Sequence, residues 1–97
     1  MKIVYTPESV EDLKRLREFI AVKNPNAASR IAKALRTGIK KLKTFSNLGI
    51  EVKEDESKMI RDLILGNYIV RYLRVRESIY ILRIWHHKED WKSIIRD

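Results

Sequence analysis

The sequence predicts an α+β domain. Its elements follow in the order β-α-α-β-β-β, with a helical hairpin over one face of a small sheet and a short C-terminal tail or helix. Three observations carry this. Two stretches with apolar residues at spacings of three and four meet at Asn24-Pro25, as two consecutive helices would. Three later runs rich in Ile, Leu, Val and Tyr are separated only by Gly66-Asn67 and by Arg76-Glu77-Ser78, as in a β-meander. The 97 residues have room for one domain, 1–97, with one thin core.

Each element has its own local signal. Residues 2 to 6, KIVYT, form a short β-branched and aromatic run that suits a strand. Thr6-Pro7-Glu8 then opens a helix. Thr6 serves as cap, Pro7 fits the first helical position, and Glu8, Glu11 and Asp12 complement the helix dipole. Val10, Leu13, Leu16 and Ile20 mark its apolar face. Asn24-Pro25 ends this helix and starts the next, whose face is Ala28, Ile31, Leu35, Ile39, Leu42 and Phe45. Ala27, Ala32 and Ala34 widen that face and permit close helix approach. Ser46-Asn47-Leu48-Gly49 terminates it, and so short a break between the helices predicts an antiparallel hairpin. A polar loop from about Ile50 to Ser57 leads to strands over Met59–Leu65, Tyr68–Val75 and Ile79–Trp85. These runs are apolar at both parities, so both sheet faces are expected to be at least partly covered. The tail from His86 to Asp97 has an amphipathic pattern, with Trp91, Ile94 and Ile95 placed to dock back.

Composition excludes several classes. With no cysteine there is neither a disulfide scaffold nor a thiolate zinc site. No stretch approaches the ~20 apolar residues of a membrane span. The start turns acidic too early for a signal peptide, so a soluble cytoplasmic domain with no membrane partner is expected. The 44% apolar share is too high for a disordered basic tail.

The net charge of +8 is unevenly placed. Between Phe19 and Ile50 there are seven basic residues and no acid: Lys23, Arg30, Lys33, Arg36, Lys40, Lys41 and Lys43. Glu51 to Glu56 reverses the sign with four acids against Lys53, and Arg71 to Lys88 is basic again apart from Glu77. Such asymmetry favours an anionic partner, nucleic acid or an acidic protein; the plainer reading is a solvated helix face. Arg61, Arg71, Arg74 and Arg83 lie inside apolar runs, where a charge must be paired or face water. They either pair with Asp62, Glu77 or the acidic loop, or line an open sheet face that grips phosphate or carboxylate. His86 and His87, adjacent at a strand end, would point to opposite sides; they make a poor metal site, though one fits acid–base work or simple packing. Gly38, Gly49 and Gly66 are isolated, so no phosphate-cradling loop exists. The aromatics Tyr68, Tyr72, Tyr80, Trp85 and Trp91 suit either the core or a stacking surface.

The element order and several phrases together resemble the ParE branch of the RelE/ParE toxin superfamily. The phrases are Asn24-Pro25 with Ala27-Ala28, then Leu42-x-x-Phe45-x-x-Leu48-Gly49, then Ile60-Arg61-x-Leu63-x-x-Gly66-x-Tyr68-x-Val70-x-Tyr72. Ile81-Leu82-Arg83-Ile84-Trp85-His86 running into Glu89-Asp90 completes the series. The resemblance implies a helical hairpin on a mainly antiparallel sheet and a plasmid- or chromosome-borne bacterial toxin. It implies an inhibitor of DNA gyrase, neutralised by an acidic antitoxin whose disordered C-terminal part folds on the toxin. RelE-like relatives are instead ribosome-dependent mRNA endonucleases. Two departures lean away from them: Ile69 stands where their pattern has an arginine, and the last tyrosine is Tyr80, with Trp91 in the tail. Arg71 and Arg74 depart from the ParE pattern, which is usually apolar there. On this basis Arg61, Arg83, His86, Lys88 and Trp91 are expected on the target-binding surface. The first four would form the catalytic set of the nuclease alternative. Arg30, Lys33, Arg36, Lys40 and Lys43 are expected to bind the antitoxin. A non-toxic basic binding module is the third reading, and no cofactor or metal is implied.

Overall fold

Thr6 and Asn24 set the beginning of the chain in place. In the computed structural model, which describes residues 1–89, β1 (Lys2–Tyr5) leads into α1 (Pro7–Lys23) and α2 (Pro25–Lys40). Thr6 Oγ1 accepts the Ser9 N–H at 3.1 Å and caps α1 with Pro7 in the first turn. Asn24 does two jobs. Its backbone N–H donates to Ile20 O at 2.9 Å, closing α1, and its Oδ1 accepts the Ala27 N–H at 3.1 Å, opening α2. α2 tightens into a 3-10 turn over Lys41–Lys43. Then follow β2 (Ile50–Glu51), β3 (Ile60–Leu65), β4 (Tyr68–Val75) and β5 (Ser78–His86).

The five strands lie in the order β1-β5-β4-β3-β2, giving the α+β fold expected. β1 runs parallel to β5, from Lys2 opposite Ser78 to Tyr5 opposite Ile81, and every other pairing is antiparallel. Gly66, at φ +61°, lets a two-residue turn join Leu65 to its partner Tyr68. The helices cover one face. Leu16, Leu35, Ile39 and Leu42 meet Leu63, Val70, Tyr72, Ile79, Ile81 and Ile84 in the core. Among the described residues no helix is long and apolar enough to cross a membrane.

Three expectations are corrected. The inner face of α1 contains Ser9, Asp12 and Leu16, whereas Val10 is 48% exposed, because α1 packs on a polar sheet edge rather than only on apolar side chains. Phe45 is 61% exposed, since the helix ends at Lys40 and the tighter turn carries it off the apolar stripe. The polar loop contains β2, whose Ile50 and Glu51 pair with Asp62 and Arg61. The expected tail contacts of Trp91, Ile94 and Ile95 lie outside the described residues.

Where β1 ends, β5 loses its strand neighbour on that side, and α1 takes over. The register of β4 against β5 shifts there: Arg71 faces Arg83 and Tyr72 faces Ile81, which leaves Leu82 as a bulge. The Thr6 hydroxyl lies 2.8 Å from Ile81 O and 3.1 Å from Leu82 O. Asp12, 3% exposed, accepts the Ile84 N–H at 2.9 Å and both ends of the Arg83 fork, Nε at 2.8 Å and an Nη at 3.0 Å. Arg15 donates to Ile84 O at 3.2 Å and pairs with Glu89, whose other oxygen accepts the His86 N–H at 2.8 Å. Side chains of a helix therefore satisfy the backbone groups that a longer β1 would have met. The hydrogen bonds that Arg83 donates to Asp12 also raise the pKa of its guanidinium above the ordinary value.

Two stability predictions follow from these contacts. Asp12→Ala strands the Arg83 charge and the Ile84 N–H, and should lower the unfolding free energy by ~3–5 kcal/mol in a denaturant titration. Asp12→Asn, which keeps one acceptor, should cost less; a loss under ~1 kcal/mol for Asp12→Ala would contradict the network's role. At the other end of the sheet Tyr72 donates its hydroxyl to Ser46 O at 2.8 Å and accepts the Gly49 N–H at 2.9 Å. A Cβ on Gly49 would lie 2.7 Å from Tyr72 Cε1 and 3.0 Å from the Asp62 carbonyl oxygen. Gly49→Ala should therefore destabilise by ~1–3 kcal/mol in the same assay.

Candidate functional site

The end of β5 and the start of the segment beyond it bring polar, aromatic and charged groups to one place. His86 is opposite Tyr68 in register, and the two rings meet edge to face, 5.2 Å apart at 89°. His87 lies in a turn, held by its N–H on Asn67 O at 2.8 Å. Its ring stacks on that of His86 at 4.7 Å, so the two do not point to opposite sides as an extended strand would have placed them. With Arg15, Leu16, Phe19 and Ile20 of α1, the residues Tyr68, His86, Lys88 and Glu89 line a cavity of about 530 Å³.

Burial above all, then the neighbouring His87 and Lys88, pushes the His86 imidazole below its ordinary pKa, against an opposing pull from Glu89. Burial and then Glu89 push the Tyr68 phenol up. At neutral pH the cavity thus offers a neutral imidazole and a protonated phenol beside the Lys88 ammonium. His86 Nδ1 accepts the Lys88 N–H at 3.1 Å, a pattern that assigns the ring proton to Nε2 and makes it a donor. Such a group set offers hydrogen-bonding and aromatic contact on one surface.

The strand arginines go elsewhere. Arg61 donates to Gly49 O at 2.7 Å and to Asn47 O at 3.3 Å, and pairs with Glu51 at 3.6 Å, clamping the loop before β2. Arg83 is held by Asp12. Arg71 grips Asp62 with two bonds of 2.9 and 3.0 Å and lies 5.3 Å from the Trp85 ring, on the face away from the helices. Arg74 is exposed on the Tyr72 side of β4. Of the residues expected on the target surface, only His86 and Lys88 come together. Trp91 lies outside the described residues.

The basic face of α2 divides in two. Arg30 and Lys33 line a groove against Leu65, Gly66, Asn67 and Tyr68, together with Lys41. Arg36, Lys40 and Lys43 do not line it, and Arg36 is close enough to Tyr5 to act on its phenol. The groups whose roles sequence reasoning missed are Asp12, Arg15 and Glu89, whereas Tyr68 is among the aromatics read from sequence as core or stacking surface. One signal was available: Asp12 stands three residues after Ser9 and four before Leu16, on the helical face that Leu16 and Ile20 also occupy.

Comparison with known proteins agrees with this geometry. A solved structure described as the chromosomal ParDE TA system from P. aeruginosa is similar over 89% of this chain and 95% of that one, with a TM-score of 0.75 at 22% identity. That likeness is one of fold. No curated protein sequence matches the chain. Residues 3–91 match the family described as ParE toxin of type II toxin-antitoxin system, parDE, and with nearly the whole chain matched, this protein belongs to the ParE toxin family.

Proposed function

We propose that this ParE-family chain inhibits DNA gyrase and is silenced by an acidic cognate antitoxin, acting as a binding protein rather than a nuclease. The observation that carries this reading is the dispersal of the groups a phosphodiester-cleaving centre would need. Arg61 lies opposite Tyr72 and His86 opposite Tyr68, four residues apart along β4, which is ~13 Å of strand. Arg83 already holds a buried carboxylate, and Arg61 already holds loop carbonyls. General acid–base work on one phosphate needs its groups within hydrogen-bond reach of a shared point. The Tyr68–His86–Lys88 cavity instead has the character of a protein-binding anchor, with aromatic surface, an Nε2 donor and one cation. Lys88 and the +8 net charge favour a target that carries DNA.

The purified protein is expected to inhibit gyrase supercoiling, or to trap its cleaved-DNA complex, without degrading RNA. Codon-linked mRNA cuts in induced cells with gyrase still active would overturn the proposal in favour of a ribosome-dependent endonuclease. Harmless overexpression with neither effect would favour a non-toxic binding module. Within the gyrase assay, His86→Ala combined with Lys88→Glu should raise the inhibitory concentration about tenfold or more at unchanged circular dichroism.

The pH dependence has a definite sign. The folded state lowers the His86 pKa, so the unfolded chain takes up the proton first. The stability due to this group is complete above the ordinary histidine value of ~6.5 and is lost as pH falls through the lower folded value. Thermal unfolding followed from pH 7.5 to 5.5 should show a falling midpoint, with a shallower slope in His86→Gln.

A further inference from the structure

We propose that the solvent side of α1 is a self-association face, through which two copies of this chain pair antiparallel about a two-fold axis. The inference stands apart from the gyrase and antitoxin readings. Phe19 is 68% exposed and Val22 86%, and Val10 is exposed with them, so one helix turns three large apolar side chains to water. Val10, Lys14, Glu18 and Val22 are all exposed and recur every four residues, which makes them one ridge. Turned end for end, that ridge complements itself. Val10 of one copy meets Val22 of the other, Lys14 meets Glu18, and each pair occurs twice. A two-fold interface requires this property, because the same patch must recognise itself.

Neither Lys14 nor Glu18 forms an ion pair among the described residues. The neighbouring row, Glu11, Arg15, Phe19 and Lys23, reverses in the same way, with Glu11 toward Lys23 and Arg15 toward the Phe19 ring. Between the two rows lies a hollow of about 360 Å³, lined by Glu11, Lys14, Arg15, Glu18, Phe19 and Val22, where the ridge of a second helix can lie. Charge selects the occupant. α1 has four acidic and four basic residues and is neutral, within a chain of net charge +8. α2 has four basic residues and no acid. DNA or an acidic protein is drawn to α2. A second copy, itself basic, is repelled there and meets the least repulsion at α1.

The test is sedimentation of the full chain over concentrations of about 5 to 500 μM, where a shift from monomer to dimer is expected as concentration rises. Val22→Glu sets a carboxylate against Val10 at both ends of the contact and should raise the dimer dissociation constant about tenfold or more. Lys14→Glu and Glu18→Lys each bring two pairs of like charges together, and each alone should weaken the dimer about tenfold. Mixed in equal amounts, these two variants should form a heterodimer in preference to either homodimer, since each acidic side chain then meets a basic one. Lys14→Glu combined with Glu18→Lys in one chain should restore the dissociation constant to near that of the parent. All three positions are exposed, so circular dichroism should stay unchanged throughout. A parent that stays monomeric at the highest concentration overturns the proposal, and loss of antitoxin binding on Val22→Glu would then assign the face to that partner. A dimer indifferent to Val22→Glu, or charge variants that pair no better mixed than alone, overturns α1 as its seat.

Discussion

The carboxylate of Asp12 is the interaction on which the rest of the structure depends. It stands on a helix, yet its acceptors serve a strand: the Ile84 N–H and the Arg83 fork both end on it. A carboxylate removed from water is unfavourable unless several donors surround it, and here they come from two successive residues of β5. Its loss would leave a bulged, half-edged strand with an unpaired amide and a guanidinium without its counter-charge. The Arg15–Glu89 pair extends the same contact to the backbone of His86, so the docking angle of α1 and the position of the cavity residues are set together.

Much of this fold is legible in local chemistry. Thr6-Pro7 and Asn24-Pro25 mark helix starts because cap oxygens and a fixed proline φ act within one turn. Gly66-Asn67 marks its hairpin because few residues accept a positive φ. The family resemblance, built on short phrases such as Ile81-Leu82-Arg83-Ile84-Trp85-His86, agrees with the match over residues 3–91. What stays hidden depends on partners distant in sequence. Asp12 has the same helix-start signature as Glu8 and Glu11; its place on the Leu16 face sets it apart, but its partners, the Ile84 N–H and the Arg83 fork, come only from the tertiary fold. The pairing of β1 beside β5 leaves no local trace, and β2 is two residues long because its pairing ends after Arg61. For the candidate site, His86 and Lys88 were visible as polar groups at a strand end, but Tyr68 became their neighbour only through the register of β4.

The positive charge separates by chemistry as well as by place. Three of the arginines in the strands are absorbed by the fold: Arg71 by Asp62, Arg83 by Asp12, Arg61 by Glu51 and two loop carbonyls. The planar fork suits this work because it makes two directed bonds at once. The cations of α2 have no such internal commitments among the described residues, so the field presented to an approaching molecule is concentrated on the helical side. The sign of the net charge is thus read from the composition, but its effective location is a property of the ion pairs.

The Thr6 hydroxyl meets Ile81 O across 75 residues of chain, and β1 pairs with β5 at nearly the same separation. A growing polypeptide therefore cannot close this fold until its last strand has left the ribosome, because the first strand and the buried carboxylate of α1 have nothing to join before then. Synthesis proceeds at ~5–20 residues per second, so a chain of this length spends several seconds in an open form. For a chain of this family the order of assembly has a consequence: a prematurely terminated polypeptide lacks the strand that the first strand and the buried carboxylate must join.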